Sequence, residues 1–263
     1  MSDLTTAGVA ETARRVAAGE LTARAATDAA LERINRLNPP LNAISQLLAD
    51  RARAEAERRD RSQAEGAELG PLHGVPVVIK EEIPVEGCVT TFGGEGNSTP
   101  AAADAEVVRR LRAAGAVVVA TSTMPEFGIW PYTESVSRGI THNPWDISRT
   151  PGGSSGGTAV AVASGMVPTG LAGDGGGSIR IPSACCGLFG LKPQRGRVST
   201  FPTDHLWYAL GTTGPLARSV SSSAGRTATS GRPAAPDAAT LSTLPRRVSC
   251  WRSTCRPGRT PAH

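Results

Sequence analysis

Between Asp104 and Ala120 the sequence runs helix, glycine, β-branched strand without interruption. Val107, Val108 and Leu111 recur on one side of the helical stretch, Gly115 closes it, and Ala116-Val-Val-Val-Ala120 reads as a buried strand. Val75-Pro-Val-Val-Ile-Lys80 is another nearly all-apolar run, as expected of a strand covered on both faces. This rhythm predicts an α/β domain. With 263 residues the chain is long enough for one large domain or two small ones.

Other segments fit the same plan. Thr22 can cap a helix that places Ala30, Leu31, Ile34 and Leu37 on one side and ends at Pro39-Pro40. Ala43 to Leu48 is a short strand candidate, and the charged stretch Ala49 to Gln63 is expected to be an exposed helix. Cys185 and Cys186 sit in an apolar run and read as core residues. Five cysteines without a CxxC pair argue against a disulfide framework and suit a reducing cytoplasm. No stretch reads as a signal peptide or a membrane span.

The net charge of +5 raises the question of nucleic acid. Residues 219–263 hold seven Arg and one Asp, so residues 1–218 are close to neutral. A basic groove through the folded part is not expected, and 4% aromatics leave little for base stacking. In residues 219–263, 36 of 45 positions are Ser, Thr, Pro, Ala, Gly or Arg, a composition expected to be disordered.

Chemistry concentrates in two glycine-rich runs, Thr150-Pro-Gly-Gly-Ser-Ser-Gly-Gly-Thr-Ala159 and Gly173-Asp-Gly-Gly-Gly-Ser-Ile-Arg-Ile-Pro-Ser183. Neither has the Gly-Lys-Ser/Thr of a phosphate loop. A flexible linker is disfavoured because apolar segments flank both runs. Each run is expected to open a helix, at Ser155 and at Ser178. Backbone N–H groups gathered there suit acyl transfer, in which a carbonyl oxygen gains negative charge. Ser178 directly follows such a run and is the nucleophile candidate.

A serine nucleophile needs a base. His73, His142, His205 and His263 lie in turns, a loop or the terminus, and none has a clear Asp partner. Of 28 basic residues only Lys80 and Lys192 are lysines. Unlike Arg, a buried Lys can work as a neutral amine, and Lys80 ends an apolar strand. Composition alone leaves open that its placement is chance.

The sequence resembles the amidase signature family, whose catalytic unit is Ser–cis-Ser–Lys. The matching elements are Leu72 to Lys80, Met124-Pro-Glu-Phe-Gly128, Asn143-Pro-Trp-Asp146, Pro151 to Ala159, Gly173 to Pro182, Gly187 to Pro193 and Thr213-Gly-Pro-Leu-Ala217. Their order over residues 20–218 is far more specific than a single GGSSGG. The resemblance implies a mixed central sheet flanked by helices. It implies Ser178 as nucleophile, Ser154 as a bridging serine after a cis peptide bond, and Lys80 as base. It implies an oxyanion hole from Gly175, Gly176, Gly177 and the Ser178 N–H. Ser155 resembles a supporting serine bonded to the lysine, and Asp174 and Arg180 a structural ion pair. These three, like Lys192, are read as structural rather than chemical.

The function implied is hydrolysis of a carboxamide or linear amide through a seryl acyl-enzyme, with no metal or organic cofactor. A second reading is the amidase-type subunit of a tRNA-dependent amidotransferase; a third is an inactive fragment. The expected partner is a small amide substrate, without nucleic acid or membrane, in a possible homo-oligomer.

Three departures from the family pattern stand out. Glu81 replaces the usual Asp, and Gly175 replaces a larger β-branched residue. The matching region is also about half the family's domain length. Residues 1–218 are therefore read as the N-terminal catalytic part of an amidase domain, with the C-terminal half missing. The abrupt change near Ser219 suggests a frameshift or truncated gene model; the alternative is a true short variant with a disordered tail. Strands such as Ala116 to Ala120 are expected to lack neighbours and leave open edges and uncovered apolar faces.

Overall fold

A computed structural model describes residues 7–203, 207 and 209–220. Most of the segment read as a disordered tail, residues 221–263, lies outside the described residues, as do His205 and His263.

The apolar runs build the sheet. Its six strands are β1 (Ile44–Leu47), β2 (Pro76–Lys80), β3 (Val117–Ser122), β6 (Thr169–Asp174), β7 (Phe189–Gly190) and β8 (Thr212–Ala217), in the order β1-β3-β2-β6-β8-β7. β2 is parallel to both β3 and β6, and the remaining pairs are antiparallel. A hairpin of β4 (Glu134–Ser135) and β5 (Gly139–Ile140) stands apart.

Helices α1 (Val9–Ala17), α2 (Ala23–Leu41), α3 (Ala49–Ala64), α4 (Glu106–Ala113), α5 (Gly156–Ala163) and α6 (Arg180–Cys186) complete the fold. Side chains of a strand alternate between faces. Val78, Val117 and Val119 accordingly join one core with α2 and α5, while Val77, Ile79 and Val118 join the other with α4. The result is a mixed α/β sheet with a core on each face, as expected from the sequence.

The glycine after α4 is needed twice over. Gly115 has φ +99°, and a Cβ there would lie 2.6 Å from the Cα of His73. It lets the chain turn from α4 into β3 directly above the segment leading to β2.

Several expectations need correction. Thr22 caps α2 through a bond from the Ala25 N–H, but the helix continues through Pro39 and Pro40 to Leu41. The prolines occupy its last turn, where a missing N–H removes few ladder bonds. Asn42 closes it in the left-handed conformation, its N–H donating to the Asn38 carbonyl. Helix α3 is not simply a solvated face: Ala52, Glu55 and Ala56 are buried. Glu55 is paired there with Arg59 and Arg112.

β3 has neighbours on both sides, so it is not an open edge; β1 and β7 are the outer strands. Cys186 is buried, and burial pushes its thiol up to about 12, whereas Cys185 is exposed. Large apolar side chains do stand exposed along one stretch, among them Phe127, Trp130, Trp145 and Ile147. No helix among the described residues is long and apolar enough to cross a membrane.

Candidate active site

The site lies at the carboxyl ends of β2 and β6, the usual place in an open sheet containing parallel strands. Lys80 ends β2. It shares a pleat face with Val78, whose core includes α5. The lysine therefore emerges beneath the N-terminus of α5, where Ser154 and Ser155 sit.

Lys80 Nζ lies 2.7 Å from Ser154 Oγ, and both residues are buried. The Gly153–Ser154 peptide bond is cis, as the family resemblance implies. Gly128, at φ +67°, lies against this serine: a Cβ there would lie 3.0 Å from Ser154 Oγ. The glycines that follow are explained by packing. A Cβ on Gly156 would strike Thr133, and one on Gly157 would come within 2.6 Å of the Ala43 carbonyl.

Ser155 does not bond the lysine. Its hydroxyl donates to the Gly173 carbonyl at 3.2 Å, and its N–H donates to the Ser178 carbonyl at 3.2 Å. It thus ties the two glycine-rich runs together. The contact with Lys80 is made by the preceding serine, Ser154, and Ser155 faces the end of β6 instead.

Asp174 ends β6 and organises the second run. Its carboxylate accepts from the N–H groups of Gly177 and Ile179, and from Arg180 through two bonds of 2.9 and 3.0 Å. Lys192 Nζ stands 3.3 Å away. Burial alone would raise the Asp174 carboxyl. The Arg180 bonds, the Ile179 N–H and the Lys192 charge outweigh it and hold it at about 2. Helix α6 begins at Arg180, with Ile179 as its cap, so Ser178 precedes the helix rather than opening it. The loop around Asp174 takes two more residues to close than the sequence suggests.

The oxyanion candidates are not equivalent. Gly177 N–H is engaged by Asp174 at 2.8 Å. The carbonyl of Gly175 accepts from Lys192 Nζ at 2.7 Å. Space beside Gly175 is filled by Trp207, whose Cγ would lie 2.9 Å from a Cβ at that position.

One cavity of about 480 Å³ is lined by Lys80, Ser154 and Ser178 together, with Glu82, Gly175 and Trp207 among the other walls. Neither His73 nor His142 lines it. His73 is buried against the Arg59 carbonyl at 3.1 Å, and burial lowers its pKa. Glu81 turns the opposite way, accepting from Thr91 Oγ1 at 2.7 Å and the Met124 N–H at 3.2 Å. Burial raises its pKa. Its extra methylene relative to Asp reaches these partners without entering the cavity.

Nothing in the sequence singles out Glu82 or Trp207. Glu82 follows another Glu in a polar step after the strand, and Trp207 lies in a loop without periodicity. Neither position carries a local signal of its role.

The chain belongs to the amidase family, hydrolases acting on C–N bonds: the family model matches residues 25–232. Over 219 residues it is 53% identical to the putative amidase AmiB2 of Mycobacterium tuberculosis, covering 83% of this chain and 47% of that one. It is 45% identical over 208 residues to a glutamyl-tRNA(Gln) amidotransferase subunit of Chloroflexus aurantiacus, covering 78% and 42% of the two chains. Among solved structures it is similar to an amidase, with TM-score 0.83, 37% identity and coverage of 88% and 53%. It also resembles the native peptide amidase of Stenotrophomonas maltophilia, with TM-score 0.79, 36% identity and coverage of 92% and 51%. The chain spans about half the length of the relatives it matches.

Proposed function

We propose that this chain hydrolyses a carboxamide or linear amide through an acyl-enzyme on Ser178. The observation that carries the reading is the 2.7 Å contact between buried Lys80 and Ser154, in a cavity that Ser178 also lines. Lys80, as a neutral amine, takes the proton of Ser154 while Ser154 takes that of Ser178. The freed Ser178 oxygen attacks the amide carbon. The N–H groups of Gly175, Gly176 and Ser178 are the donors for the developing oxyanion, since that of Gly177 is engaged by Asp174. Ser154 then passes a proton to the leaving amine, and water releases the acid. Apolar walls from Ile83, Val198, Phe201 and Trp207 suit a substrate with an apolar substituent next to the amide.

The experiment is a survey of chromogenic anilides and primary carboxamides with the full chain, beside Lys80→Arg. Turnover in the parent and its loss in Lys80→Arg support the reading, because a guanidinium stays protonated. Full activity in Lys80→Arg contradicts it.

A second reading, the amidase-type subunit of an amidotransferase, rests on the 45% identity to the Chloroflexus aurantiacus protein. It predicts glutaminase activity that rises when partner subunits and tRNA are added. The higher identity to AmiB2 favours the first reading.

A further inference from the structure

Two residues beyond Lys80 the chain turns back, and the Glu82 carboxylate meets the lysine. Oε1 lies 3.1 Å from Nζ, with the two side chains 12% and 1% exposed. The lysine nitrogen therefore stands between the Ser154 hydroxyl at 2.7 Å and a carboxylate. Room for that carboxylate comes from the facing strand: a Cβ on Gly173, in β6, would collide with Glu82 Oε1. Glu82 also lines the cavity.

We propose that Glu82 is a positioning residue for the base. It holds Nζ against Ser154 and stabilises the ammonium formed when the proton of Ser178 arrives through Ser154. This rests on the reading of Lys80 as the base. During acylation Lys80, itself buried, gains one proton and one positive charge. A negative charge 3.1 Å away favours that form over the amine. Glu82 faces Nζ as a counter-charge at 3.1 Å and takes no proton itself, and the proton returns through Ser154 to the leaving amine.

The other charged groups around the cavity have their own partners or are exposed. Asp174 is held by Arg180 and Lys192, and Arg110 by Glu106. Arg195 and Arg197 are exposed on the cavity rim. Glu81, the neighbour in sequence, faces Thr91 and Arg138.

The test uses the full chain and Glu82→Gln, which keeps the shape and removes the charge. The rate of labelling by a fluorophosphonate is followed against pH. The acidic limb should move at least one pH unit toward acid, and the plateau should fall about tenfold or more. A purely structural role would lower the rate at every pH and leave the limb in place, and that result overturns the proposal.

A readout independent of labelling is available because the chain has only two lysines. In protein carrying 13C-lysine, Lys192→Arg assigns the two Cε resonances. At a fixed alkaline pH the amine-to-ammonium ratio of Lys80 should rise at least tenfold in Glu82→Gln; an unchanged or lower ratio overturns the proposal. Should Glu82→Gln fail to fold, Glu82→Asp, which withdraws the charge by one methylene, should shift the ratio in the same direction by less, and no shift is again contrary. A parent protein that takes no label at any pH counts against the acyl-enzyme on Ser178, while the lysine resonance still decides the role of Glu82.

Discussion

Lys192 Nζ donates to the carbonyl oxygen of Gly175 at 2.7 Å and to that of Leu210 at 3.0 Å. In a trans peptide the next N–H points opposite to the carbonyl. Holding the Gly175 oxygen thus fixes the direction of the Gly176 N–H, one of the proposed oxyanion donors. On the proposed mechanism, Lys192 would aim a donor as well as pack the loop.

Lys192→Met should therefore lower kcat by about tenfold to a hundredfold, short of the roughly hundredfold to thousandfold loss when such a donor is removed outright, with little change in KM. Steady-state kinetics on any accepted anilide would show it. A change confined to KM would mean that Lys192 acts on binding alone.

Asp174 makes a prediction about acid stability. Its carboxyl sits at about 2 in the folded chain, below its ordinary value of 3.8. A group depressed in the folded state stabilises it above the unfolded value and loses that contribution as pH falls through the folded one. The stabilisation should be complete above about pH 4 and fade toward pH 2, amounting to about 2 kcal/mol. Urea midpoints of the parent and of Asp174→Asn should differ at pH 5 and converge near pH 2. A gap independent of pH would show that the Arg180 and Lys192 contacts contribute nothing through the charge.

The sheet and the site were legible to different degrees. Val75 to Lys80 and Val107 to Ala120 read as strands and a helix close to the observed ones, because both faces of the sheet are covered and their patterns are local. Lys80 stands out through its rarity and its place at a strand end. What escapes such reading is set by chain pairing. Pro39 and Pro40 stay helical because they fall in a last turn whose end Asn42 can close. Ser155 bonds the Gly173 carbonyl, and Lys80 is met by Ser154 instead. Glu82 meets Lys80 only because Gly173 leaves space across the sheet. Cross-strand relations of that kind leave no trace in periodicity.

Trp207 occupies the space beside Gly175. Gly175→Val should therefore displace the indole and lower turnover in the parent, yet be milder beside Trp207→Ala. A double-mutant cycle should give a coupling of about 1 kcal/mol or more, as for residues in contact. Additive effects would mean that the ring does not rest on this glycine.

Gly157 lies where α5 crosses β3, and a Cβ there would press on the Thr123 backbone N at 2.5 Å and the Ala43 carbonyl at 2.6 Å. Backbone atoms cannot rotate away, so Gly157→Ala should destabilise by about 1–3 kcal/mol despite its better helix propensity. Chemical denaturation measures it, and a stabilised variant would show that α5 is free to shift.

The central claim is that Ser178 carries the acyl group while Ser154 relays protons to Lys80. It is tested most directly by mass spectrometry of fluorophosphonate-labelled chain. One phosphonyl group should be found on the peptide containing Ser178. It should be absent in Ser178→Ala and form far more slowly, still on Ser178, in Ser154→Ala. Label recovered on Ser154, in the parent or in Ser178→Ala, would contradict the assignment.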